Sequence, residues 1–275
     1  MKIYISADFE GATGITSRHQ IRFGNPEFER YRSVWVKDLN SLIQGAFDGG
    51  AEQVVVNEAH SGMNYILPDL IHPSAEYISG YLKPFSQMEG LDKSFDLVFL
   101  FTHARAGTYG VLSHSFVFFD VYDMKLNNIP IGELGLNAGW AGFLNVPVGL
   151  VIGDDKAAQE AKELMPDVST AITKTHISQF TAKCLSASRS QDYLQKTAAQ
   201  AVRDKNNYKP LKFGAHFELE ITFSIPAMAE IVAYIPGVER KNERTIVYKT
   251  TDYEELIKIR ILATNLAKSI GDQAK

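Results

Sequence analysis

Apolar residues along this chain fall into two alternating rhythms over the first 155 positions. Short apolar runs at residues 3–7, 53–57, 95–101 and 146–153 predict β-strands, the third unbroken from Leu97. Between the first two, Tyr31, Val34, Trp35, Leu39, Leu42, Ile43 and Ala46 recur at helical spacing. They predict a helix over 29–47 that Gly49-Gly50 ends. Largely apolar strands separated by helices predict an α/β fold: a mostly parallel sheet with helices on both faces. Residues 116–125 and 129–132 flank Leu126-Asn127-Asn128 as the arms of a hairpin. Residues 132–143, rich in small side chains, predict a closely packed helix.

The texture changes after about residue 156. Helices are predicted over 156–164, 190–204, 226–234 and 253–270, with strands at 217–224 and 244–250. The expected organisation is an α/β unit over 1–155, carrying the chemistry, and a smaller α+β part over 156–275, in the same globule or beside it. With 45% hydrophobic residues the chain has enough apolar side chains for a normal core. A net charge of −4 gives no electrostatic footprint for nucleic acid, so that partner is set aside. Cys184 is the only cysteine, which excludes an intramolecular disulfide and a thiolate metal cluster. No apolar run is long enough to cross a bilayer, and Asp8 and Glu10 interrupt the N-terminal apolar stretch before it could serve as a signal peptide. Cytoplasmic residence is the resulting expectation.

The chemistry concentrates where the first strand runs into Asp8-Phe9-Glu10-Gly11. In extended chain Asp8 and Glu10 project to the same side, and two carboxylates at the end of a buried strand repel each other and resist burial. A cation relieves both problems, and a metal ion does so if histidines join. The strand at 53–57 leads to His60 and the strand at 95–101 leads to His103. All four residues therefore lie at or past the carboxyl ends of predicted parallel strands, the edge where open α/β sheets bind ligands. Two carboxylates with two imidazoles suit zinc or manganese better than calcium.

Other residues admit two readings each. Glu133 opens the predicted helix at 132–143, either as an acid favoured by the helix dipole or as a fifth ligand. His114, between Ser113 and Ser115, is either a hydrogen-bonded structural residue or an acid–base group beside a metal. Asp154-Asp155 either caps the following helix or adds to the site. Lys83 and Arg105 are candidates for holding a substrate carboxylate, with ordinary surface ion pairs as the alternative. His19, His72, His176 and His216 have no suggestive partners and are expected at the surface.

Several ordered blocks together resemble one family: Ser6-Ala7-Asp8-Phe9-Glu10-Gly11, Asn57-Glu58-Ala59-His60-Ser61, Ile78-Ser79-Gly80, Lys83-Pro84-Phe85, His103-Ala104-Arg105-Ala106, Ser113-His114-Ser115 and Gly132-Glu133-Leu134-Gly135-Leu136-Asn137. They are similar, over nearly the whole chain, to the D-aminopeptidase (dipeptide-transport-operon aminopeptidase) family of metallopeptidases. The resemblance implies a two-zinc hydrolase that removes N-terminal D-amino acids from short peptides; two such ions would hold and activate the attacking water. It also implies a ring-stacked homodecamer with a central channel. Asp8, Glu10, His60, His103 and Glu133 would be the metal ligands and His114 the catalytic histidine. Five ligands for two ions require sharing, and Asp8 is the natural bridge. Glu58 stands where the family pattern has aspartate, and Thr102 replaces a bulkier residue before His103. On composition alone two rivals fit the same residues: another two-metal hydrolase such as a phosphoesterase, or a non-enzymatic binding or assembly protein with a structural metal.

Overall fold

In the computed structural model, which describes residues 1–274, seven strands form the first of two sheets. They are β1 (Lys2–Ala7), β2 (Gln53–Glu58), β3 (Glu76–Ile78), β4 (Leu97–Phe101), β7 (Val148–Asp154), β8 (Ser169–Ser178) and β9 (Thr181–Cys184), in the order β3-β2-β1-β4-β7-β8-β9. Every pairing is parallel except that of β8 with β9. The second sheet is antiparallel and holds β5 (Val121–Leu126), β6 (Ile129–Pro130), β10 (Phe217–Phe223), β11 (Glu239–Arg240) and β12 (Thr245–Thr250), in the order β11-β12-β10-β5-β6. Among the described residues there are seven α-helices: α1 (Arg18–Ile21), α2 (Phe28–Asp48), α3 (Glu133–Phe143), α4 (Asp155–Leu164), α5 (Ala187–Arg203), α6 (Pro226–Val232) and α7 (Tyr253–Ala274).

Side-chain alternation along the parallel strands divides the core into two layers. Ile3, Ile5, Val54, Val56, Leu97, Phe99 and Ile152 point to one face and pack with Leu39, Leu42 and Ile43 of α2 and Leu194 and Val202 of α5. Tyr4, Val55, Val98, Leu100 and Val151 point to the other, against α3, α7 and the antiparallel sheet. A sheet buried on both faces leaves little room for polar side chains along its central strands, so most polar groups collect towards its ends. Helices α2 and α5 approach closely because Gly45 faces α5: a Cβ there would lie 2.2 Å from the Gln195 carbonyl oxygen.

The α/β architecture matches the sequence expectation, and the predicted strands and helices of the first 155 residues appear within two residues at each end, the hairpin excepted. Its first arm begins at Val121 rather than 116. Phe116 and Phe118 adopt positive φ, and their rings are drawn to the site described below. Its turn is Asn127-Asn128, both left-handed, as a two-residue hairpin requires. Five elements were not anticipated: α1, β3, β8, β9 and β11. Strand β8 carries few apolar residues among Ser, Thr, Lys and His, so no apolar period announced it. The layers also do not divide near residue 155: β8 and β9 extend the first sheet, and β5 and β6 join the second. Among the described residues no helix is long and apolar enough to cross a membrane.

Candidate metal centre

Strand order brings the predicted ligands together. Strand β1 lies between β2 and β4, and Ala7 is in register with Glu58 on one side and Phe101 on the other. Asp8 and Glu10 therefore leave the sheet between the loop carrying His60 and the loop carrying His103. The chain can turn there because residue 11 is glycine: a Cβ would lie 2.6 Å from the Thr102 carbonyl oxygen. Glu133 reaches the same point from the first turn of α3, and His114 from the loop between β4 and β5. All six side chains are buried, none more than 7% exposed.

Asp8 stands between two histidine–carboxylate pairs. Its Oδ1 is 3.3 Å from His60 Nδ1, and its Oδ2 is 3.6 Å from His103 Nε2. His60 Nδ1 is also 2.9 Å from Glu10 Oε2, and His103 Nε2 is 3.3 Å from Glu133 Oε1. His114 Nε2 completes the ring, 3.9 Å from Glu10 Oε1 and 3.7 Å from Glu133 Oε1. Its imidazole stacks on His103 at 3.9 Å and on Phe118 at 4.1 Å.

Each imidazole donates its far N–H to a backbone carbonyl. His60 Nε2 donates to Ile21 (2.9 Å), His103 Nδ1 to Ala104 (2.9 Å) and His114 Nδ1 to Leu112 (2.7 Å). A carbonyl only accepts, so the nitrogen that faces the cluster carries the lone pair whenever the ring is neutral. That is how proteins present histidine to a metal. His103 Nε2 makes no hydrogen bond, although Glu133 Oε1 lies 3.3 Å away. An orphaned imidazole nitrogen among three buried carboxylates fits a divalent cation. Ligand atoms of Asp8, Glu10 and His103 lie within 4.8 Å of one another, as do those of His103, His114 and Glu133.

Protons compensate the acids in the metal-free protein. Burial, reinforced by the neighbouring Glu10, holds Asp8 well above the usual carboxylate range. Against burial, the charge of His60 holds Glu10 well below it. Burial likewise opposes a charge on His103, but Glu133 carries it up to about 10, while His103 brings Glu133 down to about 2. Burial and then the charge of His103 push His114 down to about 4. A metal would provide the same compensation and release those protons.

Neighbouring groups fix the ligands in place. Glu133 accepts hydrogen bonds from the Phe116 N–H and the Gln87 amide. On β8, Lys174 Nζ donates to the carbonyls of Glu10 (2.6 Å) and Ala12 (2.8 Å), and Thr173 Oγ1 donates to that of Gly11 (2.7 Å). Both were missed in the sequence, since a lysine in a polar stretch reads as solvated. Ile21, which orients His60, ends α1, and the Ser17-x-x-Gln20 capping box was a legible signal for that helix. Glu58 accepts the Tyr65 and Ile66 N–H groups and so orders the loop after His60. Asp154 caps α4 through the Ala157 N–H (2.8 Å) and holds the Val111 N–H (2.6 Å).

Glu160, on α4, accepts the Arg105 N–H through Oε2 (2.9 Å), while its Oε1 is buried without a partner. Burial pushes its pKa up to about 7. That exceeds the unfolded value of about 4.3, so the stability present below this value is lost as pH rises towards the folded pKa. Glu160→Gln keeps an acceptor and removes the charge. Its melting temperature should gain on the wild type between about pH 5 and about pH 8. A gap that stays constant over that range would count against a burial penalty at Glu160.

A cavity of about 810 Å³ opens onto Asp8, Glu10, His60, His114 and Glu133. Its size suits a short peptide. Lys83 borders it, but its ammonium donates to Asn57 Oδ1, the Glu58 carbonyl and the Ile78 carbonyl, so its three protons are taken. Arg105 does not line the cavity and lies 3.9 Å from Asp123. The two cations expected to meet a substrate carboxylate are thus engaged elsewhere in the fold. A second buried cation lines the cavity, Arg260 of α7, whose Nε has no hydrogen-bond partner and which sequence reasoning passed over. His19, His72, His176 and His216 all lie outside the buried core.

A buried cluster of carboxylates and imidazoles at the ligand-binding edge of an α/β sheet, open to a peptide-sized cavity, has the composition expected of a metal-dependent hydrolase site. The particular family follows from comparison. Residues 1–261 match the family model for D-aminopeptidase, and the chain belongs to that family. It is 41% identical over 269 residues to a D-aminopeptidase of Bacillus subtilis (strain 168), covering 97% of this chain and 98% of that protein. Among solved structures it resembles the Zn-dependent D-aminopeptidase DppA from Bacillus subtilis, a self-compartmentalizing protease. There the TM-score is 0.95 at 40% identity, over 98% of both chains.

Proposed function

We propose that this protein is a zinc-dependent aminopeptidase that removes N-terminal D-amino acids from short peptides, such as D-Ala-containing di- and oligopeptides, using two zinc ions per subunit. The observation that carries the reading is Asp8, whose two oxygens face two different histidines, each paired with its own glutamate. Asp8, Glu10 and His60 would hold one ion, and Asp8, His103 and Glu133 the other. The donor set suits zinc, the metal of the 40% identical neighbour. When bound, the ions supply Lewis acidity towards the peptide carbonyl and make a water acidic enough to lose its proton near neutral pH.

The chain's own contribution is proton handling and positioning. With Nδ1–H committed to the Leu112 carbonyl, neutral His114 presents the Nε2 lone pair to the site. Nε2 can therefore take the proton that the attacking water gives up and pass it to the departing amine. Stacking between His103 and Phe118 holds the ring in that orientation. We further place the enzyme in the cytoplasm as a closed homo-oligomer, the decamer that the family resemblance implies. The self-compartmentalizing relative supports assembly, as do exposed Tyr109, Phe119, Tyr122 and Ile177 around a second surface cavity.

Metal analysis of the purified protein combined with a paired assay tests the reading. About two zinc per chain are expected, as a two-metal site requires. D-Ala-D-Ala should be cleaved, whereas L-Ala-L-Ala and phosphate esters should not. Metal-free protein with full activity, or equal cleavage of both enantiomers, would refute it.

A further inference from the structure

Arg260 turns from α7 into the cavity that contains Asp8, Glu10 and Glu133, yet it is only 4% exposed. Its guanidinium stacks 3.9 Å from the centroid of the Phe116 ring. Nε is buried with no hydrogen-bond partner, and no carboxylate among the described residues forms an ion pair with this side chain. Glu133 acts on it only at longer range. A buried guanidinium without an anion is strongly unfavourable, and one stacked ring offsets only part of that. The other cations of the cavity are differently placed: Lys83 is fully bonded within the protein, and Arg18, Arg22 and Lys268 are exposed to solvent, Arg18 resting on Phe118.

We infer that Arg260 receives the C-terminal carboxylate of the bound peptide, so that the site selects short peptides with a free acid terminus. The inference rests on the aminopeptidase reading above. Such a substrate turns its amine and scissile carbonyl towards the carboxylate–imidazole cluster and extends the rest of its chain into the cavity. In a dipeptide of apolar residues the terminal carboxylate is the only anion there, and it lies one residue beyond the scissile bond. The planar fork of arginine matches a carboxylate with two parallel hydrogen bonds. Stacking on Phe116 fixes the plane of that fork before substrate arrives. The cost of the unpaired charge in the free enzyme becomes selectivity for ligands that relieve it.

The test compares kcat/KM for D-Ala-D-Ala and its C-terminal amide in the wild type, Arg260→Met and Arg260→Lys. The wild type should favour the free acid by roughly 10- to 100-fold, the worth of a charge-assisted pair. In Arg260→Met that preference should approach one, mainly through a higher KM for the acid, with unchanged zinc content. Arg260→Lys should fall between them, since it keeps the charge and loses the fork. D-Ala-D-Glu α-amide, whose only acid is on the side chain, should behave like the simple amide. Equal use of acid and amide by the wild type would overturn the subsite, as would equal losses on both in Arg260→Met and Arg260→Lys. Wild-type protein that cleaves the dipeptide in neither form would overturn the aminopeptidase reading itself and the subsite with it.

Discussion

Asp8→Asn is expected to empty both halves of the metal centre, whereas Glu10→Gln weakens mainly one. Asp8 Oδ1 faces His60 and Oδ2 faces His103, so this carboxylate alone belongs to both histidine–glutamate pairs. An asparagine of the same shape offers one weak oxygen ligand and turns an NH2 group towards the other imidazole lone pair. Zinc should fall from about two per chain to well below one in Asp8→Asn, and to about one in Glu10→Gln. Losing metal assistance removes several kcal/mol of transition-state stabilisation, and at about 1.4 kcal/mol per tenfold the turnover of Asp8→Asn should drop by roughly a thousandfold or more. A second readout separates lost metal from lost fold. Burial and repulsion from Glu10 already disfavour the Asp8 carboxylate. The zinc-free variant should therefore melt no lower than zinc-free wild type, while added zinc should raise the melting temperature of the wild type alone. Full zinc in Asp8→Asn would rule out the bridge, and so would Glu10→Gln losing both ions as completely.

The first four ligand candidates were legible because of where they stand in the apolar pattern. Asp8, Glu10, His60 and His103 each follow a run that could only be a buried strand, and strand ends are where such a sheet can place polar groups. Strand order was not legible. That β1 lies between β2 and β4, and so puts Asp8 between the two histidines, is a property of the assembled sheet. Glu133 kept two readings in the sequence because a helix N-terminus welcomes an acid with or without a metal. The 3.3 Å approach to His103 makes the second reading the stronger one, without removing the first, since Glu133 does open α3.

Chain proximity misled in the other direction. Lys83 and Arg105 lie near ligand motifs in sequence, and the fold spends both on other contacts. Arg260 reads as one polar position of an amphipathic helix, since nothing local reveals that α7 lies along the cavity wall. Lys174 and Thr173 were hidden for a related reason: a strand of Ser, Thr and Lys looks solvated until its neighbour in the sheet is known. The general physical point is that burial of a cation is decided by tertiary packing, whereas burial of an apolar run is written in its own composition.

His114→Ala is expected to retain both zinc ions while losing about 10²- to 10⁴-fold in turnover, the usual worth of a positioned acid–base group. Two effects compete in this prediction. The Nε2 lone pair lies close enough to His103 and Glu133 to share a metal with them, which would make His114 a ligand. Its ring, however, stacks face to face on His103 with planes 9° apart. Five other groups already supply both halves of the centre, so losing this one should leave the ions in place. Zinc content decides: a loss of about one ion per chain in His114→Ala would assign His114 to the metal, as an open two-metal site requires counting ligands against ions. If the ions stay, the deficit is in proton transfer, and added imidazole should restore part of the turnover by entering the slot left between His103 and Phe118. His114→Phe fills that slot without a nitrogen, so it should be as slow as the alanine variant and unresponsive to imidazole. Near-normal turnover in His114→Phe would mean that the ring serves only to pack against His103, and the catalytic role would fail.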